Sequence, residues 1–172
     1  RRQRQMCIRD SNTTDTALVT ALLKEQPGDS LEEQAMALLP TLKGAFCLVF
    51  MDENTLYAAR DAQGVRPLVL GRLERGWVVA SEQSALATVG ASVIREIEPG
   101  EFIAIDADGV RSHSFAESAP ARCAFEYVYL SRPDAHINGR SVYESRVEMG
   151  RQLAREDTLS LIHISEPTRR TP

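Results

Sequence analysis

Asp15, in the string TTDT, sets a carboxylate among hydroxyls just ahead of an apolar run. A carboxylate there can grip an ammonium through a charge-assisted hydrogen bond, or cap the helix that follows. Taken alone, the cap is the stronger reading. Cys123 stands just ahead of AFEYVYLSRPD, a thiol beside an aromatic run that stops at an Arg-Pro-Asp corner. Tyr129, the second tyrosine of that run, carries an apolar ring with a polar tip and suits a core position with a satisfied hydroxyl. Arg60-Asp61 and Arg66-Pro67 flank Gly64. That is the pattern of an ion-paired structural turn between strands rather than of catalysis. Glu82, in ASEQ, suits the first turn of a helix, where its charge meets the dipole. His113, His136 and His163 have no mutual spacing that makes a metal site. Cys7, Cys47 and Cys123 are too few and too scattered for a disulfide framework.

Bulk composition bounds the scaffold that must hold these groups. The chain has 172 residues, 43% hydrophobic and 26% charged, with a formal net charge of −4. That suffices for one globular domain, or one domain and part of another. Basic residues cluster in RRQRQ and TRRTP at the two ends, which argues against a nucleic-acid-binding face. No apolar run approaches the ~20 residues of a membrane span. The start lacks the apolar core of a secretory signal. The expectation is a reducing, cytoplasmic setting without nucleic acid or membrane.

Periodicity supplies the elements. Leu18, Leu22 and Leu23 recur at helical spacing after the Asn/Thr/Asp cluster, and Pro27-Gly28 ends that helix. Ser30 with Glu33 makes a capping box for a second helix carrying Leu31, Met36, Leu38 and Leu39, which stops near Pro40. The period then changes. GAFCLVFMDENTLYAARD reads as a hairpin of largely buried strands turning at Asp52-Glu53-Asn54. RPLVLGRLERGWVVASE repeats the design, and a short helix with Ala85 and Leu86 follows. EFIAIDADGVRSHSF is a third hairpin whose Asp108-Gly109 suits a tight turn. Antiparallel sheet enclosed by helices is the order of an α+β layered sandwich, not of a wound parallel sheet. Its core is expected from about Thr13 to Phe115, burying Phe46, Leu48, Val49, Leu68, Leu70, Val78, Val79, Ile103 and Ile105. AESAPARC is a small-residue linker and the candidate domain boundary. Beyond it, CAFEYVYLSRPD reads as a strand, and Ser141 with Glu144 caps a helix carrying Val142, Val147, Met149 and Leu153.

Six stretches resemble one family in collinear order from about Ser11 to Glu156. They are TTDTALVTALL, KGAFCLVF, YAARDAQGVRPLVLG, VVASEQSAL, IREIEPGE, and FEYVYLSRPD followed by SVYESRVEMGRQLARE. The family is glutamine phosphoribosylpyrophosphate amidotransferase, or amidophosphoribosyltransferase, and FEYVY-x-x-RPD with RD-x-x-G-x-RPL are the specific strings. The resemblance implies part of an N-terminal-nucleophile, class II glutamine amidotransferase αββα sandwich. Residues 11–120 would be the C-terminal part of the glutaminase domain. Residues 121–157 would be the first strand and helix of a phosphoribosyltransferase domain. Residues 1–10 and 158–172 fall outside the resemblance and read as non-native sequence.

The implied reaction has two sites. An N-terminal cysteine, assisted by its own α-amine, releases ammonia from glutamine through a thioester. The ammonia displaces pyrophosphate from phosphoribosylpyrophosphate, giving 5-phosphoribosylamine, the first committed step of de novo purine synthesis. It must travel dry, because water at neutral pH would protonate it and end its nucleophilicity. By resemblance Asp15 binds the glutamine α-amino group and Tyr129 lines the ammonia channel. Cys123 is a candidate ligand of the [4Fe-4S] cluster that some members carry, which takes four cysteines. Magnesium would accompany phosphoribosylpyrophosphate, purine nucleotides would act as feedback inhibitors, and the enzyme would be a homo-oligomer, a tetramer.

The chain also departs from the pattern. Cys7 is neither N-terminal nor in matching context, and the family's nucleophile, Asn-Gly element and clamping arginine belong upstream of Ser11. The phosphoribosylpyrophosphate loop belongs downstream, and Ala17 stands where the family often has Glu. These 172 residues alone are expected to be inactive. Two other readings share the fold: a different class II amidotransferase, such as the one making glucosamine-6-phosphate, and a non-catalytic regulatory module.

Overall fold

The computed structural model describes residues 14–121 and 123–156. It divides the chain into two compact units, Arg1–Arg122 and Cys123–Pro172. In the first unit, α1 (Asp15–Lys24) starts at Thr14, whose Oγ1 accepts the Ala17 N–H at 3.3 Å. α2 (Leu31–Leu38) starts at Ser30, which accepts the Glu33 N–H at 3.2 Å. The Glu33 carboxylate reaches back to the Asp29 N–H at 2.8 Å, closing the capping box one residue early.

Seven strands follow: β1 (Cys47–Met51), β2 (Leu56–Arg60), β3 (Val69–Leu73), β4 (Gly76–Ala80), β5 (Ser92–Glu96), β6 (Glu101–Asp106) and β7 (Gly109–Ser114). They form two antiparallel sheets, ordered β1-β2-β6-β7 and β4-β3-β5. A helix α3 (Gln83–Thr88) joins β4 to β5. Side chains alternate between the faces of a strand, and burial follows that period. Tyr57, Ala59, Phe102 and Ala104 pack with Leu23, Ala35, Leu38 and Leu39 of the helical layer. Ala58, Ile103 and Ile105 pack instead with Leu68, Leu70 and Ile97, toward the second sheet. Behind that sheet α3 closes through Leu86. A Cβ on Gly71 would stand 2.9 Å from both Leu86 methyl groups, so glycine there lets the helix seat. The layers run helix, sheet, sheet, helix: this is the αββα sandwich.

Leu68, Leu70, Ile103 and Ile105 are buried as the sequence leads one to expect, and Phe46, Leu48, Val78 and Val79 are half-buried. Val49 departs from expectation at 52% exposed. It sits on β1, an edge strand, and the three-stranded second sheet leaves it and Met51 uncovered. Thr13, Cys7 and the terminal stretches 1–10 and 158–172 lie outside the described residues.

Glu101 pins the two sheets together at one edge. It is 7% exposed, and its carboxylate accepts two hydrogen bonds from Arg95 of β5 at 2.8 and 2.5 Å. Ser112 of β7 adds one at 2.5 Å and the Glu98 N–H another at 2.7 Å. Burial alone would push this carboxyl up, but the bonds from Arg95, Ser112 and Glu98 outweigh it and hold it below its usual value. A depressed carboxylate contributes stability that is full above its unfolded value, about 4.3, and is lost as pH falls through the folded value. Glu101→Gln is therefore expected to destabilise the unit at neutral pH, by an amount that shrinks progressively below about pH 4. Urea unfolding of both proteins across that range checks it. A gap that stayed constant into acid would assign the loss to packing instead.

In the second unit the string read as a strand is helical. Glu126–Leu130 forms a wide π turn, closed by the Ser131 N–H on the Glu126 carbonyl at 3.1 Å. A strand needs a neighbour, and the sheet described in this unit is only the two-residue pair β8 (His136–Ile137) and β9 (Arg140–Ser141). Arg146 of α4 (Val142–Glu156) instead donates to the Tyr127 and Ser131 carbonyls, each at 2.7 Å. A guanidinium thus answers carbonyls that the turn leaves open. Glu126, 4% exposed, accepts the Ser131 hydroxyl at 2.7 Å. Ala135, Ile137 and Val142 form the small core. Ser141 accepts the Glu144 N–H at 3.2 Å, the cap expected for α4. Among the described residues no helix is long and apolar enough to cross a membrane.

Candidate functional site

Asp15 is the first residue of α1, and the cap is its neighbour Thr14. Its carboxylate is exposed and accepts no hydrogen bond from the described residues. It stands in the first turn, where backbone N–H groups give the helix its positive end. A carboxylate without a capping duty is available to an ammonium on a ligand.

The turn after β2 carries two buried charged side chains. Arg60 is 3% exposed, and its guanidinium donates to the carbonyls of Gly64 at 3.0 Å, Arg66 at 2.8 Å and Ile97 at 2.6 Å. Its counter-ion is Glu96, 3.6 Å away. Asp61, 1% exposed, accepts the N–H groups of Gln63 at 2.9 Å and Phe46 at 3.3 Å. The structural turn expected from RD-x-x-G-x-RP is present. Its ion pair reaches across to Glu96 rather than to the adjacent Asp61. Buried charge persists here because its hydrogen-bonding groups are paired.

Cys47 lies beside this turn with its Sγ 3.6 Å from the Arg66 carbonyl. Burial pushes its thiol up to about 11, against the lowering pull of Arg60 and Arg66. It is an inert core thiol at neutral pH. Glu82 does not sit in the first turn of α3. It is the N-cap residue, and its side chain caps nothing. His113 of β7 has its Nε2 2.9 Å from a carboxylate oxygen of Glu32 on α2.

Cys123 and Tyr129 belong to the second unit and Asp15 to the first. Cys123 is a free, half-buried thiol whose carbonyl accepts the Glu126 N–H at 3.2 Å. A cubane cluster takes four thiolates. Among the described residues no three His, Cys, Asp or Glu side chains gather where a metal ion could be held. Tyr129 is 78% exposed, so within its own unit it is not a core tyrosine. Tyr127 has that part, its hydroxyl donating to the Ile137 carbonyl at 3.0 Å.

Residues 2–88 match the family model of the glutamine amidotransferase domain, a range that begins inside the N-terminal stretch set apart above. The chain belongs to the glutamine amidotransferase family. This amidotransferase chain is 66% identical over 145 residues to the amidophosphoribosyltransferase of Mycobacterium tuberculosis (strain ATCC 25618 / H37Rv), covering 84% of itself and 28% of that relative. It is 37% identical over 148 residues to the amidophosphoribosyltransferase of Bacillus subtilis (strain 168), covering 86% of itself and 31% of that relative. The chain thus spans under a third of the length of these relatives. Among solved structures it resembles glutamine phosphoribosylpyrophosphate amidotransferase from B. subtilis complexed with ADP and GMP, with a TM-score of 0.84 and 34% identity. That match covers 92% of this chain and 36% of the other. A second solved structure, described as the allosteric regulatory enzyme of purine biosynthesis, matches with a TM-score of 0.83 at 35% identity, covering 92% of this chain and 35% of the other.

Proposed function

We propose that this chain is part of a cytoplasmic amidophosphoribosyltransferase, which transfers glutamine-derived ammonia to phosphoribosylpyrophosphate and forms 5-phosphoribosylamine for purine synthesis. The observation that carries the reading is the 66% identity to the M. tuberculosis amidophosphoribosyltransferase. A different glutamine amidotransferase would account for the family match over residues 2–88. It would not account for similarity across 84% of the chain. The free thiols of Cys47 and Cys123 suit a reducing compartment. Regulation by purine nucleotides belongs to the same reading, supported by the ADP and GMP in the B. subtilis relative.

In this reading the Asp15 carboxylate holds the α-ammonium of glutamine, and Tyr129 borders the path of ammonia. The test uses the intact enzyme. Asp15→Ala is expected to raise the KM for glutamine about ten- to a hundredfold, the size of a lost charge-assisted contact of about 1.5–3 kcal/mol, and to spare synthesis from free ammonia. Normal use of glutamine would end the assignment. In the same assay, Tyr129→Ala is expected to leave glutamine hydrolysis intact while more glutamate appears per phosphoribosylamine. Unchanged stoichiometry would remove Tyr129 from the path.

A further inference from the structure

The last residues of the first unit are fastened to the Arg60–Asp61 turn. After β7 the Phe115 N–H donates to the Gly100 carbonyl at 3.0 Å, and the chain then runs on without helix or strand through Ala121. Two main-chain bonds hold this exit segment. The Ala119 N–H donates to the Ala62 carbonyl at 2.9 Å, and the Ala121 N–H to the Gln63 carbonyl at 2.8 Å. Ala119, Pro120 and Ala121 are exposed, so hydrogen bonding rather than apolar burial seats them.

The turn that receives them is built on buried, hydrogen-bonded charge. Arg60 and Asp61 are buried within it, and the Gly100 N–H donates to the carbonyls of both, at 3.2 and 3.0 Å. A linker meant only to connect would be flexible and Gly/Ser-rich, with its amides left to water. This one pairs its amides against a turn held by buried charge, and Pro120 stiffens the step between the two bonds. The second unit begins at Cys123, two residues past the last of them.

We propose that the Ala62–Gln63 edge is a positioning element for coupling. By fixing where the chain leaves the amidotransferase unit, it keeps ammonia release tied to ammonia use. This rests on the two-reaction reading above. The bonds govern the tether between the units and leave the chemistry of each untouched.

The experiment replaces Ala119 and Ala121 with proline, singly and together, in the full-length enzyme. Each change deletes one donated N–H and nothing buried. Ala119→Ser and Ala121→Ser keep the N–H and serve as controls. The double proline variant is expected to release at least about twofold more glutamate per phosphoribosylamine, since each lost bond shifts the strapped population about fivefold. Ammonia-supported synthesis and the melting temperature should hold, and the serine variants should keep the parental ratio. The single variants carry the test if the double one does not fold. A parental ratio in the proline variants overturns the proposal. So does an equal fall of both activities along with the melting temperature, which would make the strap structural only. A parental enzyme that makes no phosphoribosylamine from ammonia or glutamine would overturn the functional reading itself, and the coupling role with it.

Discussion

Arg60→Met is expected to cost the first unit about 3–5 kcal/mol, near the upper end for a single substitution. Methionine keeps the apolar stem and most of the volume, so the loss isolates the guanidinium. The carbonyls of Gly64 and Ile97 then lose their donor in a buried place, and that of Arg66 in a half-buried one. An orphaned buried group costs about 1–3 kcal/mol, and the ion pair between Arg60 and Glu96 is lost as well. Arg60→Lys should recover little, because one ammonium cannot present the planar fork that reaches three acceptors. Denaturant unfolding measures both variants. A loss under about 1 kcal/mol for Arg60→Met would mean that water satisfies those carbonyls.

Gly100→Ala is expected to cost about 2–4 kcal/mol for two separable reasons. Gly100 has φ +78°, a left-handed conformation that costs an L-residue about 1–2 kcal/mol. Its added Cβ would also stand 2.5 Å from the Ala116 carbonyl oxygen and 3.2 Å from the carbonyl carbon. Those are backbone atoms and cannot rotate aside. Relief requires moving Ala116, at the root of the exit segment, or giving up the Phe115 bond to the Gly100 carbonyl. Gly76→Ala is the control, since a Cβ there meets nothing within 4 Å and φ is not positive. Equal melting temperatures for the two variants would show that neither the left-handed backbone at Gly100 nor its approach to Ala116 carries a cost.

Both sites show what a single sequence reveals and what it withholds. RD-x-x-G-x-RP marks a constrained turn, because Gly and Pro punctuate it and opposite charges sit side by side. It cannot announce that Arg60 reaches the Ile97 carbonyl, since main-chain acceptors carry no residue signature. The three hairpins were legible because each pairs neighbours across a polar turn. β5 was not, as Ser92–Glu96 has only Val93-Ile94 at its centre and lies at an edge, where no alternation is enforced. An apolar run likewise cannot tell an edge from a centre, which is why Val49 misled.

The aromatic and β-branched residues of FEYVYL favour a strand by propensity. The structure overrides that through Arg146, whose partners lie 19 and 15 residues upstream, beyond any local pattern. Asp15 reads as the cap from its type alone, yet Thr14 takes that place one residue earlier, and helix starts are uncertain by one residue. The partner of Asp15 would be a ligand, which no periodicity records. There the family resemblance, not the pattern, carried the assignment.

β2 and β6 are neighbours, with Leu56 opposite Ile105, yet every strand of the second sheet lies between them along the chain. Hairpins such as β1–β2 and β3–β4 can close locally in about 1–10 μs. The β2–β6 seam must wait for distant residues to meet, and on the ribosome, at about 5–20 residues per second, it waits until β6 is made. Closing a loop costs more as the loop grows, although slowly. A second sheet that forms early gathers most of that loop into a compact body and brings the two seam strands near each other. Folding is therefore expected to run from the inside of the sequence outward, with substitutions in the second sheet slowing folding more than those in the β2–β6 seam. The nested sheet is the splint on which the outer one is set.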